Sequence, residues 1–249
     1  MFIKCLLRIH RKYLTATLYP AFELANSGKV GLMREDYQLQ LESINADLVA
    51  MTVLVGKAMS KATLSLLGDD LKIAEEVIAG DELINSLNSS IEERSLQMVA
   101  LQAPVARDLR VLMSAIRMGS SLERMGDLAN HIAKQARMRY PNSAVPPELS
   151  LTIQEMGNVC GQIVDKVSLV LQNRDAEKAL EIEKDDDAMD ILHRKIIATL
   201  LDPKWPHGVE TAIDMTLLGR YYERYADHAV SIARRVYFLV TGEFANQKA

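Results

Sequence analysis

Apolar residues recur at intervals of three and four along most of this 249-residue chain. From Met33 onward, Leu39, Leu41, Ile44, Leu48, Met51, Leu54, Val55, Ala58, Met59 and Ala62 fall on one stripe of a helix, the pattern of an amphipathic segment facing a core. Gly68 reads as its C-terminal stop and Asp69-Asp70 as the cap of the next segment. The same periodicity predicts helices over 70–102, 105–139, 147–172, 175–201 and 209–240. Pro104, the Pro-rich stretch 141–147, and Pro203 with Pro206 separate them.

The six predicted helices form two sets of three. Asp70-Leu71-Lys72-Ile73-Ala74 matches Asp175-Ala176-Glu177-Lys178-Ala179, and Asp81 through Leu87 matches Asp186 through Leu192. Leu122-Glu123-Arg124-Met125-Gly126-Asp127, followed by Ile132-Ala133, is repeated as Tyr222-Glu223-Arg224-Tyr225-Ala226-Asp227, followed by Ile232-Ala233. The predicted fold is all-α: two elongated antiparallel three-helix bundles related by internal duplication, over 33–141 and 147–242. A helix of ~35 residues spans ~50 Å. Residues 1–32 are read as an extension outside this fold, with translation starting at Met33, because Pro20 and Gly28 are expected to interrupt a long helix.

Composition narrows the class. Aromatic residues make up only 5% while aliphatic residues abound, which suits helix-on-helix packing. Two cysteines, Cys5 and Cys160, stand in unrelated contexts, so a reduced, cytoplasmic protein is expected. Residues 1–32 carry five basic side chains against Glu23, a net of +4, so the remainder carries −8 to reach the total of −4. An acidic body argues against nucleic acid as a partner. No run of ~18 uncharged apolar residues predicts a membrane span.

The duplicated acidic residues carry the candidate chemistry. Residues i and i+4 stand one above the other on a helix, where like charges repel unless a cation lies between them. Asp81 and Asn85 on one helix would meet Glu123 and Asp127 on its neighbour; Asp186 and Asp190 would meet Glu223 and Asp227. Four oxygen-bearing side chains from adjacent helices suit a hard cation such as Mg, Ca, Mn or iron. Solvated carboxylates paired with Arg124 and Arg224 are the other reading, and spacing leaves both open.

The run Leu101-Gln102-Ala103-Pro104-Val105-Ala106-Arg107-Asp108-Leu109-Arg110, with the Glu123–Asp127 phrase, resembles the PhoU family of bacterial phosphate-uptake regulators over about 33–242. The resemblance implies two three-helix bundles whose repeated acidic motifs bind metal ions, including multinuclear iron clusters. It places metal ligands at Asp81, Glu123 and Asp127, and at Asp186, Asp190, Glu223 and Asp227. Asn85 stands where the family pattern has Asp, so the first site is expected to bind divalent or iron cations more weakly. The implied role is an adaptor between the phosphate ABC transporter and a phosphate-sensing histidine kinase. It would hold the starvation regulon and uptake down when phosphate is plentiful, often as a homodimer.

Other residues are given structural roles. Asp108 is expected to cap the third helix beside Arg107 and Arg110, Trp205 to cap the second bundle, and Cys160 to be buried. Met51, Met59, Met113 and Met118 are expected to fill core gaps. His131, His193 and His228 are left outside the metal sites. A rival reading, a carboxylate-bridged metalloenzyme, would use Glu-x-x-His pairs, but the motifs read Glu123-Arg-Met-Gly and Glu223-Arg-Tyr-Ala. P-loop, nucleophile-elbow and zinc-protease motifs are absent. A metal-free helical scaffold is the third reading.

Overall fold

A computed structural model describes residues 19–245, with side chains from Glu35 onward except that of Asp185. They form α1 (Tyr19–Gly68), α2 (Leu71–Gln102), α3 (Arg107–Arg139), α4 (Pro147–Asn173), α5 (Ala176–Leu200) and α6 (Gly208–Thr241), with no strand among them. From α2 onward these bounds agree with the periodicity within two residues.

The first helix departs from expectation. It begins at Tyr19 and runs unbroken past Met33, so part of the 1–32 extension is helical. Pro20 stands in the first turn, where a missing N–H breaks no helical hydrogen bond. Gly28 within a helix costs only about 1 kcal/mol relative to Ala. Cys5 lies outside the described residues. The chain divides between Glu42 and Ser43; α1 up to Glu42 belongs to one unit, and residues from Ser43 form the second, compact unit, which holds both bundles.

Duplicated caps set the helix starts. Asp70 Oδ1 accepts the Ile73 N–H at 3.1 Å, and Asp175 Oδ1 accepts the Lys178 N–H at 3.1 Å. The residues before them, Asp69 and Arg174, both take the left-handed conformation at φ 51°. The expected stop at Gly68 is therefore shifted: Gly68 remains helical and Asp69 makes the turn. Asp108 also differs from its expected role, since α3 starts at Arg107 behind an Ala106 cap without a side-chain hydrogen bond. Asp108 lies inside the first turn, where a carboxylate still favours the helix dipole.

Within the first bundle α2 packs along α3 and is tied to α1 by Lys61–Glu76 at 2.8 Å and by Arg94, which grips Asp47 and Ser43. In the second, α4, α5 and α6 pack on one another. Two crossings join the bundles. α1 meets α4 antiparallel, with Gly56 against Val164 and Gly157 against Thr63. There the Thr63 hydroxyl lies 2.8 Å from the fully buried Tyr222 phenol, and Cys160 hydrogen-bonds the Tyr222 carbonyl.

The other crossing is α3 against α6. His131 stacks on Tyr221 at 5.2 Å, Arg110 lies 4.9 Å over the Phe238 ring, and Arg139 reaches Asp214 and Glu210 at 2.6 Å each. A planar guanidinium that serves two carboxylates this way makes strong, oriented hydrogen bonds. α2 and α5 thus lie outermost, each against the α3 or α6 of its own bundle.

A stretch within 35–68 reaches a mean hydropathy of 1.2, enough by length and composition to cross a membrane. Its apolar stripe of Ile44, Leu48, Met51, Val55, Met59, Ala62 and Leu66 is instead buried in the protein, as a core helix requires. Met118 joins Met51 and Met59 in the core, whereas Met113 is exposed. Trp205 is half-buried at the start of α6, donating to the Gly208 carbonyl at 2.9 Å and meeting edge-on the ring of His207, which in turn lies 2.6 Å from Glu148 of α4.

Candidate metal centre

Both acidic sets lie where an outer helix meets its inner neighbour. In the first, Asp81 and Asn85 come from α2, and Glu123 and Asp127 from α3. Gly126 lets the helices approach, since a Cβ there would stand 3.0 Å from Ile84 and 3.4 Å from Asp81 Oδ1. Burial pushes the Glu123 carboxyl above its ordinary range, and the charges of Asp127 and Asp81 add to that, while Arg124 opposes. Arg124 supplies the cation that the i, i+4 repulsion calls for: it lies 2.8 Å from Asp127 and 3.6 Å from Glu123.

The second set is more strained electrostatically. Asp186 is raised to about 6 by burial, then by Asp227, Asp190, Glu223 and Asp187. Glu223 is also raised, by burial and then Asp227, against the lowering effect of Arg220 and His193. All four residues of the set therefore influence one another. The cation is not the repeated arginine, however. Arg220, one turn earlier on α6, pairs with Glu223, whereas Arg224 faces His228 and helps burial hold that imidazole below its ordinary range.

Two participants escaped the sequence pattern. Asn130 donates to Asp81 Oδ2 at 2.8 Å; it lies seven residues after Glu123, on the same helical face, and that spacing was its only signal. His193 lies over Gly219, 3.1 Å from where a Cβ would be, and acts on Glu223. In the duplication it matches Asn88, whose Oδ1 lies over Gly119 in the same way. His131 and His228 belong to the α3–α6 crossing instead.

Among the described residues, no three acidic, histidine or cysteine side chains form a ready cation cage. Arg124 and Asn130 hold the first set's carboxylates, and Arg220 holds Glu223. The donor chemistry nevertheless suits a hard cation: Asp81 Oδ1, Asn85 Oδ1, Asn130 Oδ1 and Asp186 Oδ1 are buried oxygens without a hydrogen-bond partner. A buried unpaired acceptor costs about 1–3 kcal/mol, and an oxygen-seeking cation would offset that cost.

The PhoU domain model matches residues 48–136 and again 153–236. The phosphate-specific transport system accessory protein PhoU homolog 2 of Mycobacterium tuberculosis is 48% identical over 212 residues, covering 85% of this chain and all of that protein. The PhoU homolog of Aquifex aeolicus is 33% identical, covering 84% of this chain and 95% of its own. The crystal structure of PhoU from Pseudomonas aeruginosa superposes with a TM-score of 0.75 at 27% identity, covering 83% of this chain and 100% of that one. That of the phosphate transport system regulatory protein PhoU from Streptococcus pneumoniae gives 0.74. These relatives are named as accessory or regulatory proteins, not as enzymes.

Proposed function

The chain belongs to the PhoU family, and from that premise we propose that it is a cytoplasmic phosphate-signalling adaptor. It docks the phosphate ABC transporter and a phosphate-sensing histidine kinase, and it holds down uptake and the starvation response when phosphate is abundant. The observation that supports an adaptor is a row of exposed apolar residues present in both bundles. Leu101, Leu109 and Met113 in the first match Leu201, Val209 and Ile213 in the second, all exposed. Apolar side chains held in water at equivalent places of two repeats suit protein contacts better than stability. Deleting the gene should raise an alkaline-phosphatase reporter in phosphate-rich medium, and tagged protein should co-purify transporter and kinase from cells grown at high phosphate. An unchanged reporter, in a cell without a second family member, overturns the role.

The acidic sets are proposed to bind divalent or iron cations, more firmly in the second bundle. Asp186, Asp190, Glu223 and Asp227 would hold the ion there, against Asp81, Glu123 and Asp127 with Asn85 in the first. Charge and oxygen number govern hard-cation affinity, and Asn85 leaves the first set one carboxylate short. Elemental analysis of protein purified without chelator checks this. Glu223→Gln with Asp227→Asn is expected to remove more metal than Glu123→Gln with Asp127→Asn, and equal content in wild type and both variants would remove the assignment.

A further inference from the structure

α3 and α6 run antiparallel, and three contacts fix their register: Arg110 over the Phe238 ring, His131 on Tyr221, and Arg139 on Asp214. The two helices are also repeats of each other, Glu123 corresponding to Glu223. Together these facts give the crossing an approximate two-fold axis near Gly126 and Ala226. Equivalent antiparallel neighbours can be exchanged only by an axis normal to the plane they share. Their water-facing sides therefore lie on one surface.

That surface is apolar at both ends and basic in the middle. Leu109 and Met113 of α3 share one end with Phe238, because Arg110 lies over that ring; Val209 and Ile213 of α6 share the other with Met138, because Arg139 reaches Asp214 and Glu210. Phe238 is half-buried and the other five are exposed. From Met113 to Met138 the helix rises ~38 Å. Arg124 and Arg224 lie near the axis, both exposed. Arg124 leans on Asp127 and Glu123, whereas Arg224 has no carboxylate partner among the described residues. Three side chains at one end cannot supply the ~800 Å² per partner that a stable interface buries, so the two ends act as one face.

We propose that this face docks a two-fold-symmetric protein partner, with one copy of the chain astride the partner's axis. Each of two equivalent partner subunits would receive one apolar end, and acidic residues at the partner's axis would meet Arg124 and Arg224. Such complementary charges fix orientation and speed encounter. A second copy of this chain fits poorly, since it would set arginines against arginines on the axis. The inference rests on the adaptor reading and specifies the kind of partner and the stoichiometry.

The probe is the purified phosphate ABC transporter, whose paired ATPase subunits supply the two-fold axis. Light scattering of the complex should give one copy of this chain per transporter. Met113→Glu and Ile213→Glu should each weaken binding by the same factor, on the order of 100-fold, because losing either end removes the avidity of the other. Arg224→Glu should weaken it by about tenfold, and more at low salt. Leu96→Glu, exposed on α2, should leave binding unchanged. Circular dichroism checks that each variant is folded, and Leu109→Glu with Val209→Glu repeats the comparison if either end variant is not. A wild-type protein that does not bind the transporter removes the adaptor reading and this inference with it. Binding that persists with two copies per transporter, or that is lost at only one end, overturns the two-fold face and leaves the adaptor reading standing. Self-association of the wild type that both end variants abolish would assign the face to a second copy and overturn the proposal.

Discussion

Gly157→Ala is expected to destabilise the protein by about 1–3 kcal/mol, the usual cost of forcing extra atoms into a filled core. The added Cβ would lie 2.7 Å from Thr63 Cγ2 and 2.9 Å from its Oγ1, at the crossing of α1 and α4. Thr63 has little freedom to move away: its hydroxyl bonds the Met59 carbonyl at 3.0 Å and meets the Tyr222 phenol at 2.8 Å. The clash outweighs the gain of about 1 kcal/mol that alanine brings to a helix interior. Gly161, one turn further along the same helix, has open space around its Cβ position. Gly161→Ala should therefore stabilise by nearly that full amount. Denaturant unfolding of the two variants gives opposite signs if the crossing is as tight as it is built. Thr63→Ala combined with Gly157→Ala should recover much of the loss, because neighbouring sites do not add independently. Equal effects at 157 and 161 would show that α1 and α4 separate easily.

The second large effect is a pH dependence located at Asp186. Its carboxyl is raised from 3.8 to about 6 in the folded protein, so the folded state binds that proton more tightly than the unfolded chain does. The contribution to stability is then fully present below pH 3.8 and is lost as pH rises through about 6. In chelator, Asp186→Asn should match wild type at pH 4 and exceed its stability at pH 8. The gain is about 1 kcal/mol once solvent screening of a partly exposed group is allowed for. The difference between the two proteins isolates this residue from the other carboxylates that titrate in the same range. A divalent cation should cancel the advantage by stabilising only the wild type, since a ligand bound to the native state raises its stability. A difference that stays constant from pH 4 to pH 8 would show that Asp186 is not raised.

Taken together, the two acidic sets are repeats in sequence but not in electrostatics. Arg124 neutralises the first from within the repeated phrase. The second depends on Arg220, which corresponds to Ser120 in the first bundle and so has no duplicate. The asymmetry lies in a residue outside the repeated phrase.

The sequence alone determined the helices, their number and the duplication, because a 3.6-residue apolar stripe and an Asp cap are local properties. The match of Asp70 with Asp175 and of Glu123–Asp127 with Glu223–Asp227 was legible for the same reason. The acidic residues that influence one another were legible too, since i, i+4 spacing places them on one face whatever that face meets. What meets that face was decided only by the tertiary structure. Axial shift and rotation between helices brought Asn130 to Asp81 and His193 to Glu223. The same geometry set Gly157 against Thr63. A long side chain sweeps a full turn of helix, so its partner depends on displacements of a few ångströms that no single-helix periodicity records.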